Sequence, residues 1–269
     1  MDFTHKVAVV TGGGSGIGQA TGREFAERRA AVAVVDRDVE VGRQTAAGIR
    51  QSGGMAEYFQ ADVSVRAQVE RVIADIVLRM GGIDILVNNA GIQRYGSVLT
   101  TTEELWEEVM AINLKSAFLM SKYAIPELIK RGGGAIVLNG STQSLAAVAN
   151  SAAYVVSKHG LLGLTRAMAL DHAKNNIRVN CVCPGAIDTP MLRWSASLGG
   201  DPEKVLDACR RIHALGRLGR PEEVAPVIVF LASEEASFVT GSAVMVDGGI
   251  LVAAGGMAFQ ESGTGSGKG

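Results

Sequence analysis

The sequence contains few cysteines, no long apolar run and no excess of either charge. Its three cysteines, Cys181, Cys183 and Cys209, are too few, and odd in number, for the disulfide framework of a small secreted domain. The apolar run before Thr11 has only four residues, which is less than a secretory signal requires. No apolar stretch reaches the roughly 18 residues that a membrane-spanning helix needs. We therefore expect a cytoplasmic protein with no membrane partner.

The charges of the chain nearly cancel, because 26 lysines and arginines face 27 aspartates and glutamates and the formal net charge is −1. A chain without a positive surplus has no field that attracts nucleic acid or anionic lipid, so we expect neither as a partner. Glycine is the residue whose frequency departs most clearly from the average, with 34 in 269 where an average composition gives about 19. This excess indicates tight turns or a backbone that approaches a ligand closely.

Short apolar runs alternate with segments of helical periodicity along the whole chain. The strands are predicted at 6–10, 31–35, 55–60, 83–87, 135–138, 177–182 and 243–246. The helices are predicted at 17–29, 39–51, 65–80, 103–130, 152–173 and 221–232. Such alternation favours βαβ units with right-handed crossovers. The fold class predicted is α/β, a doubly wound Rossmann fold whose seven-stranded parallel sheet carries helices on both faces.

We expect a single catalytic domain over residues 1–256, in which the segment 190–220 interrupts the alternation and covers the site with small helices. Residues 257–269 are small, polar and rich in glycine, and we expect a flexible tail there. Residues 265–268 are similar to part of a phosphate-binding P-loop, but the first glycine and the final Ser or Thr of that motif are missing. A phosphotransferase that uses this tail is the most distant alternative.

A glycine-rich turn follows the first predicted strand and leads into the first helix. Its residues are Gly12, Ser15, Gly16, Ile17 and Gly18. Glycine permits positive φ and close approach of a pyrophosphate, and the helix amino terminus supplies free N–H groups and the positive end of its dipole. The turn therefore predicts a dinucleotide site.

Asp36 ends the second strand, 18 residues after Gly18. A carboxylate in that place binds the adenosine ribose hydroxyls and repels a 2′-phosphate, which favours NAD as the cofactor. Arg37 beside it could instead pair with such a phosphate, so NADP stays open. The alternative for Asp36 is a solvated carboxylate at the end of a strand.

Tyr154 and Lys158 stand four residues apart on a predicted helix, so both side chains project from one face. Free tyrosine has a pKa of about 10. The Lys158 ammonium and a positive nicotinamide ring should lower that pKa, so that Tyr154 accepts the alcohol proton as hydride leaves the carbon. Ser141, 13 residues earlier, can bind the substrate oxygen. Alone, such a pair is more often found on a helix surface.

An ordered series of motifs resembles the short-chain dehydrogenase/reductase family over nearly the whole chain. It comprises the turn 11–18, Asp62-Val63, Asn88-Asn89-Ala90-Gly91, Asn113, Ser141, Tyr154-x-x-x-Lys158, Pro184-Gly185 and Thr189. The resemblance implies a catalytic set of Asn113, Ser141, Tyr154 and Lys158, in which Asn113 holds a water and Lys158 binds the nicotinamide ribose. It further implies that Asp62 and Val63 contact the adenine, that Asn89, Ala90 and Gly91 border the cofactor, and that Ile187 and Thr189 hold the nicotinamide carboxamide. A homotetramer is the assembly expected from the resemblance.

Six residues that border these motifs are candidates to bind the substrate by position alone. Gln93, Gln143 and Asn150 could bind a polyhydroxylated compound, Met191 and Trp194 an apolar face, and Arg193 a carboxylate. Arg94 is a second candidate for a carboxylate. The spacing of Cys209 and His213 allows a metal site, but no second pair completes it, and we expect none.

The leading hypothesis is a hydride transfer between NAD(H) and a secondary alcohol or ketone, with a small-molecule substrate such as a sugar, polyol or hydroxy acid. The alternative within the class is a 3-oxoacyl-thioester reductase of the acyl carrier protein type, against which Asp36 weighs because such reductases favour NADPH. A different class of protein, a dinucleotide-binding regulator that has lost catalysis, is also open, and the intact catalytic set argues against it.

Overall fold

The computed structural model describes residues 1–252. The predicted tail 257–269 and the last four residues of the predicted domain 1–256 lie outside that range. Within it, seven strands form one parallel sheet in the order β3-β2-β1-β4-β5-β6-β7. The strands are β1 Val7–Thr11, β2 Ala31–Asp36, β3 Met55–Gln60, β4 Ile85–Asn88, β5 Gly134–Asn139, β6 Ile177–Pro184 and β7 Ala243–Val246. This order is that of a doubly wound sheet, which confirms the predicted fold class.

Nine α-helices connect these strands within the described range. They are α1 Gly16–Glu27, α2 Val39–Gln51, α3 Arg66–Met80, α4 Glu103–Met110, α5 Ser116–Lys130, α6 Ala152–His172, α7 Pro190–Ser197, α8 Pro202–Arg211 and α9 Pro221–Ala232. Helices α1, α2 and α9 pack on one face of the sheet through residues such as Phe25, Ile49 and Ile228. Helices α3, α5 and α6 pack on the other face through Ile76 and Leu128 among others. Since both faces are covered, β1 and β2 carry the continuous apolar runs 7–10 and 31–35, and polar residues stand at the carboxyl ends of these strands.

The single helix predicted at 103–130 is wrong in one respect, because a π-helical segment, Ala111–Lys115, separates α4 from α5. Asn113 lies in this segment. Its Oδ1 accepts the N–H of Ile92 at 2.7 Å and its Nδ2 donates to the carbonyl of Ile92 at 2.9 Å. Apolar periodicity cannot show a local widening of this kind, which is often found at functional sites.

The segment 190–220 contains two short helices, as predicted. Both begin with proline in the first turn, and each is capped by a polar side chain: Thr189 Oγ1 accepts the N–H of Leu192, and Asp201 Oδ1 accepts that of Lys204. Both features are favoured at the start of a helix, because proline has no N–H that would stay unpaired there and the cap side chain accepts one of the unpaired N–H groups. Among residues 1–252, no helix is both long enough and apolar enough to cross a bilayer.

Asp84 joins the amino-terminal edge of the sheet to α5. Its buried carboxylate accepts the N–H of Val7 at 2.9 Å and two hydrogen bonds from the Arg131 guanidinium at 3.1 Å each. Lys6 lies 3.5 Å away. A buried carboxylate satisfied in this way fixes the start of β1 relative to β4. This edge lies opposite the site described next.

Candidate active site

A cleft of about 280 Å³ opens beyond the carboxyl ends of the strands, where ligands bind in sheets of this type. Most of the residues predicted from sequence to bind a cofactor line it: Gly12, Ser15, Gly16, Ile17, Asp36, Arg37, Asp62, Val63, Asn89, Ala90, Gly91, Tyr154, Lys158, Pro184 and Thr189. Of the predicted substrate residues, Met191 lines the cleft. The structure thus brings together residues from seven separate segments of the chain.

The turn after β1 has the backbone that its glycines predict. Gly12 and Gly16 have φ values of 60° and 51°, a region that other residues rarely adopt. The predicted cofactor residue Gly18 packs inside the turn and does not line the cleft. A Cβ there would lie 2.1 Å from the carbonyl oxygen of Gly12, so the close packing of helix on strand requires glycine.

The start of α1 fits an anionic group. Ser15 is its N-cap residue, yet no side-chain hydrogen bond caps the helix, and no acidic residue lies in its first turn. The first N–H groups of a helix have no partners within it and carry the positive end of the dipole. These groups would hold the pyrophosphate of a dinucleotide.

Asp36 lines the cleft at the end of β2, and two backbone hydrogen bonds orient its carboxylate. Oδ2 accepts the N–H of Gly14 at 2.9 Å and Oδ1 accepts that of Asp38 at 3.0 Å. Each carboxylate oxygen still has a free lone pair, which fits the hydroxyls of a ribose. Arg37 also lines the cleft, and its side chain is exposed. The neighbouring Asp62 carboxylate accepts two hydrogen bonds from Ser64, which holds the loop after β3 at the cleft wall.

A chain of hydrogen bonds through two asparagines links the glycine turn to Lys158. Asn89 Nδ2 donates to the carbonyls of Thr11 and Gly12, and its Oδ1 accepts from Asn139 Nδ2 at 2.8 Å. The carbonyl of Asn139 in turn accepts from Lys158 Nζ at 2.7 Å. The two strand ends therefore position the lysine relative to the turn.

Tyr154 and Lys158 lie on one face of α6, as their spacing predicts, and both are at least nine-tenths buried. The Lys158 ammonium nitrogen is 5.5 Å from the centre of the Tyr154 ring. Burial raises the pKa of Tyr154 to about 12, although a hydrogen bond with Ser141 acts in the opposite direction. Burial also lowers the pKa of Lys158 to about 8.

These values describe the protein without its cofactor, so the lower pKa of Tyr154 expected from Lys158 together with a positive nicotinamide ring stays a prediction. Loss of water around the phenolate outweighs every attraction that the described residues supply. The lysine is itself buried with no carboxylate beside it, so its own charged form is disfavoured. The other positive charge that could favour the Tyr154 phenolate is that of an oxidised nicotinamide ring.

Ser141 and Asn113 complete the predicted set, although neither lines the cleft surface. Ser141 Oγ lies within reach of the Tyr154 phenol and accepts the N–H of Gln143 at 3.1 Å. Asn113 Nδ2 donates to Ser157 Oγ at 3.1 Å, in addition to its two bonds with Ile92. Asn113 therefore holds the loop after β4 against α6.

The loop after β6 divides into residues that line the cleft and residues behind it. Pro184 and Thr189 line it, whereas the predicted cofactor residues Gly185 and Ile187 do not. A Cβ on Gly185 would lie 2.8 Å from His213 Nε2, and Ile187 is buried. Behind this loop, His213 Nε2 accepts the N–H of Ala186 at 3.1 Å and Nδ1 donates to the carbonyl of Cys209 at 2.6 Å. Both ring nitrogens of His213 are thus hydrogen-bonded to backbone groups.

The other predicted substrate residues have varied surroundings. Gln93 is buried, with long bonds from Nε2 to Arg94 O and Ser151 Oγ. Asn150 is exposed in the left-handed region at φ 55°, and Trp194 packs under Arg94. The prediction that Arg193 binds a carboxylate substrate is not supported, since its guanidinium pairs with Asp188 at 2.7 Å. The guanidinium of Arg193 thus forms an ion pair with a carboxylate of the protein itself.

Sequence reasoning missed several residues of the cleft wall: Val35, Ala61, Ile92, Ile112, Asn139, Gly140 and Pro190. Most are apolar and carry no chemical signal. Asn139 is the exception, because it is 8% exposed and its Oδ1 has no hydrogen-bond partner. Its position at the end of β5, two residues before Ser141, was the available signal, since polar residues at strand ends of this sheet face the ligand.

Comparisons with known proteins agree with this geometry. Residues 12–251 match the family described as enoyl-(acyl carrier protein) reductase. The meso-2,3-butanediol dehydrogenase of Serratia marcescens is 38% identical over 249 residues, 93% of this chain and 96% of that protein. The 3-oxoacyl-(acyl-carrier-protein) reductase FabG of Thermotoga maritima is 38% identical over 252 residues, 94% of this chain and 100% of that protein. The ligand-free structure of Thermoplasma acidophilum aldohexose dehydrogenase superposes with a TM-score of 0.85 at 37% identity, covering 94% of this chain and 96% of that one.

Proposed function

The chain belongs to the short-chain dehydrogenase/reductase family, and we propose that it interconverts a secondary alcohol and a ketone with NAD(H) as the hydride carrier. The family binds a nicotinamide dinucleotide and acts on CH–OH groups. One observation carries the proposal for this chain: Tyr154, Lys158 and Ser141 converge where the dinucleotide cleft ends. Small-molecule substrates fit the cleft, and butanediol and aldohexose are named for two relatives.

Each residue of the set has a task in the oxidation of an alcohol. The bound dinucleotide supplies the hydride acceptor, and its positive ring favours the phenolate. Tyr154 takes the hydroxyl proton, so that the O–H bond breaks as hydride leaves the carbon. Ser141 donates a hydrogen bond to the oxygen as its charge develops. Lys158 would hold the nicotinamide ribose, and a water held at Asn113 would carry the proton from Lys158 towards solvent. In the reducing direction Tyr154 donates the proton.

Replacement of the tyrosine tests this assignment. Tyr154→Phe removes one hydroxyl and keeps the ring that packs on α6, so we expect NAD binding to persist while turnover falls by at least about 10²-fold, the lower end of general acid–base contributions. Turnover is followed by NADH absorbance and binding by NADH fluorescence. Tyr123→Phe, outside the cleft, is the control. Unchanged turnover in Tyr154→Phe would contradict the mechanism.

The preference for NAD rests on Asp36, whose oriented carboxylate suits two ribose hydroxyls and repels a 2′-phosphate. We expect kcat/KM with NAD to exceed that with NADP. Exposed Arg37 is the residue that could offset this preference, and Arg37→Ala should then widen the ratio. An equal or reversed coenzyme preference in the unaltered protein would contradict the assignment to NAD.

A 3-oxoacyl-thioester reductase is the second candidate, because the FabG relative is as similar as the butanediol dehydrogenase. Asp36 weighs against it through the coenzyme. Oxidation of butane-2,3-diol with NAD and reduction of acetoacetyl thioesters with NADPH should be compared in one preparation. Faster thioester reduction with NADPH would favour the second candidate.

The assembly that we propose is a cytoplasmic homotetramer that pairs its long helices, with residues 1–256 as one catalytic domain and 190–220 as the cover of the site. A groove of about 530 Å³ along α4, α5 and α6 supports helix pairing, and Met110, Leu114, Phe118 and Leu164 give it an apolar lining. All three cysteines are free, which agrees with a reducing compartment. Light scattering of the purified protein measures the number of subunits, and a monomer would contradict the proposal.

A further inference from the structure

We propose, on the premise of the function above, that the substrate is electrically neutral around its reacting carbon: a hydroxyl or keto compound without a carboxylate or phosphate nearby. The sequence left hydroxy acids open because Arg94 and Arg193 stand near the site. The structure commits both guanidinium groups to acidic partners of the protein. The substrate end of the cleft therefore lacks a free cation among the described residues.

Arg94 lies in the loop after β4, directly after Gln93. Its Nε and Nη2 donate to both carboxylate oxygens of Glu108, on α4, at 3.2 and 3.0 Å. Its guanidinium also lies 5.4 Å from the centre of the Trp194 ring. A bidentate ion pair with a cation–π contact uses the planar fork of arginine fully. A carboxylate substrate would have to displace Glu108.

Arg193 is committed in a different way. Its Nη2 donates to Asp188 Oδ2 at 2.7 Å, and its side chain is 63% exposed. The pair joins α7 to the loop after β6, on the outside of the cover. Lys158, the remaining cation at this end, donates to Asn139 O and belongs to the catalytic set.

The surroundings of the reacting tyrosine are likewise neutral. Apart from burial, the pKa of Tyr154 responds to Ser141 and Tyr95, and that of Lys158 to Cys181 and Cys183. Among residues 1–252, no carboxylate or guanidinium is a cause of either pKa shift. A carboxylate brought here would lose its hydration without gaining a charged partner, which is unfavourable.

The groups that remain free suit a neutral compound that carries hydroxyls. Gln143 follows Ser141 by two residues and its backbone N–H donates to Ser141 Oγ. Its side-chain Oε1 is buried without a hydrogen-bond partner, so it can accept from a second hydroxyl. Met191 and Trp194 on α7, both partly exposed, supply apolar surface. A neutral substrate thus meets side chains that carry no free charge.

The test compares methyl 3-hydroxybutanoate with 3-hydroxybutanoate, which have the same reacting carbon and differ in charge. We expect kcat/KM for the ester to exceed that for the acid by at least about tenfold, the effect of one hydrogen bond to a charged group. Glu108→Gln frees Arg94 and should narrow this ratio by about tenfold or more. Glu103→Gln removes the same charge from an exposed position on α4 and should leave the ratio unchanged. Thermal unfolding of each variant reports its folding.

A wild-type enzyme that oxidises the acid as well as the ester would overturn the neutrality of the site and leave the proposed function standing. If the ratio of kcat/KM for the ester to kcat/KM for the acid falls by the same factor in Glu108→Gln and in Glu103→Gln, the role of the Arg94–Glu108 pair is overturned. If folded protein that binds NADH oxidises neither compound, nor butane-2,3-diol or cyclohexanol, the proposed function fails and this inference with it.

Discussion

Tyr154 should stay a neutral phenol at neutral pH until the dinucleotide binds. Burial raises its pKa from 10.0 to about 12, and this rise corresponds to roughly 3 kcal/mol against the phenolate. At about pH 8 only roughly one Tyr154 in ten thousand would then be ionised. Because Lys158 is already in place in the free protein, half-ionisation at that pH requires the bound cofactor to favour the phenolate by about 5 kcal/mol. Tyrosine activation is therefore coupled to cofactor binding.

Ultraviolet difference absorbance of the phenolate measures this coupling. The chain has four tyrosines, and subtraction of the Tyr154→Phe spectrum at each pH isolates the one of interest. Between about pH 7 and pH 10 we expect no Tyr154 signal in the free protein, since that range lies below a pKa of about 12. With NAD⁺ bound, the apparent pKa should fall by two units or more. Ser141→Ala should raise it by roughly 0.7 unit, because a hydrogen bond that stabilises the phenolate by about 1 kcal/mol is lost.

Two results would refute this reasoning. Ionisation of Tyr154 near pH 7 in the free protein would mean that burial does not dominate its pKa. An identical titration with and without NAD⁺, in protein shown by fluorescence to bind it, would mean that the charge of the cofactor does not activate the tyrosine. NADH, whose ring is neutral, is the matched control and should produce the smaller shift.

Three further predictions follow from single contacts. Asp36→Ala should lower the ratio of kcat/KM for NAD to kcat/KM for NADP by about tenfold or more, because hydrogen bonds to a charged group are lost. Asp38→Ala is the control. An unchanged ratio in Asp36→Ala would contradict the assignment of Asp36 to the ribose. Asn113→Ala should lower the free energy of unfolding by about 1–3 kcal/mol and reduce kcat, because the N–H and carbonyl of Ile92 lose their partners. Denaturant unfolding measures the stability and steady-state kinetics measure kcat. Unchanged stability would show that water replaces the amide. Asp84→Ala should lower the free energy of unfolding by about 3 kcal/mol while KM for NAD stays the same, because Val7 and Arg131 lose a buried partner far from the cleft; a changed KM with unchanged stability would contradict this separation.

Several features of the site follow from local pattern alone. The glycine turn, Asp36 and the Tyr154–Lys158 pair were predictable because each depends on a strand end or on the four-residue repeat of a helix. Asn139 was missed because its importance depends on two contacts made across the sheet, with Asn89 and with Lys158. No spacing within β5 indicates such partners.

The amino-acid sequence by itself determined the order of strands and helices, the parallel sheet and the residues that carry the chemistry, because apolar periodicity and turn residues act over short distances along the chain. The tertiary structure alone decided how those residues behave. Burial from all sides sets the pKa of Tyr154 against ionisation, and the π-helical segment places Asn113 against Ile92. The same packing turns Arg94 towards Glu108. Charge and hydration depend on every neighbour in space, and only the folded chain brings those neighbours together.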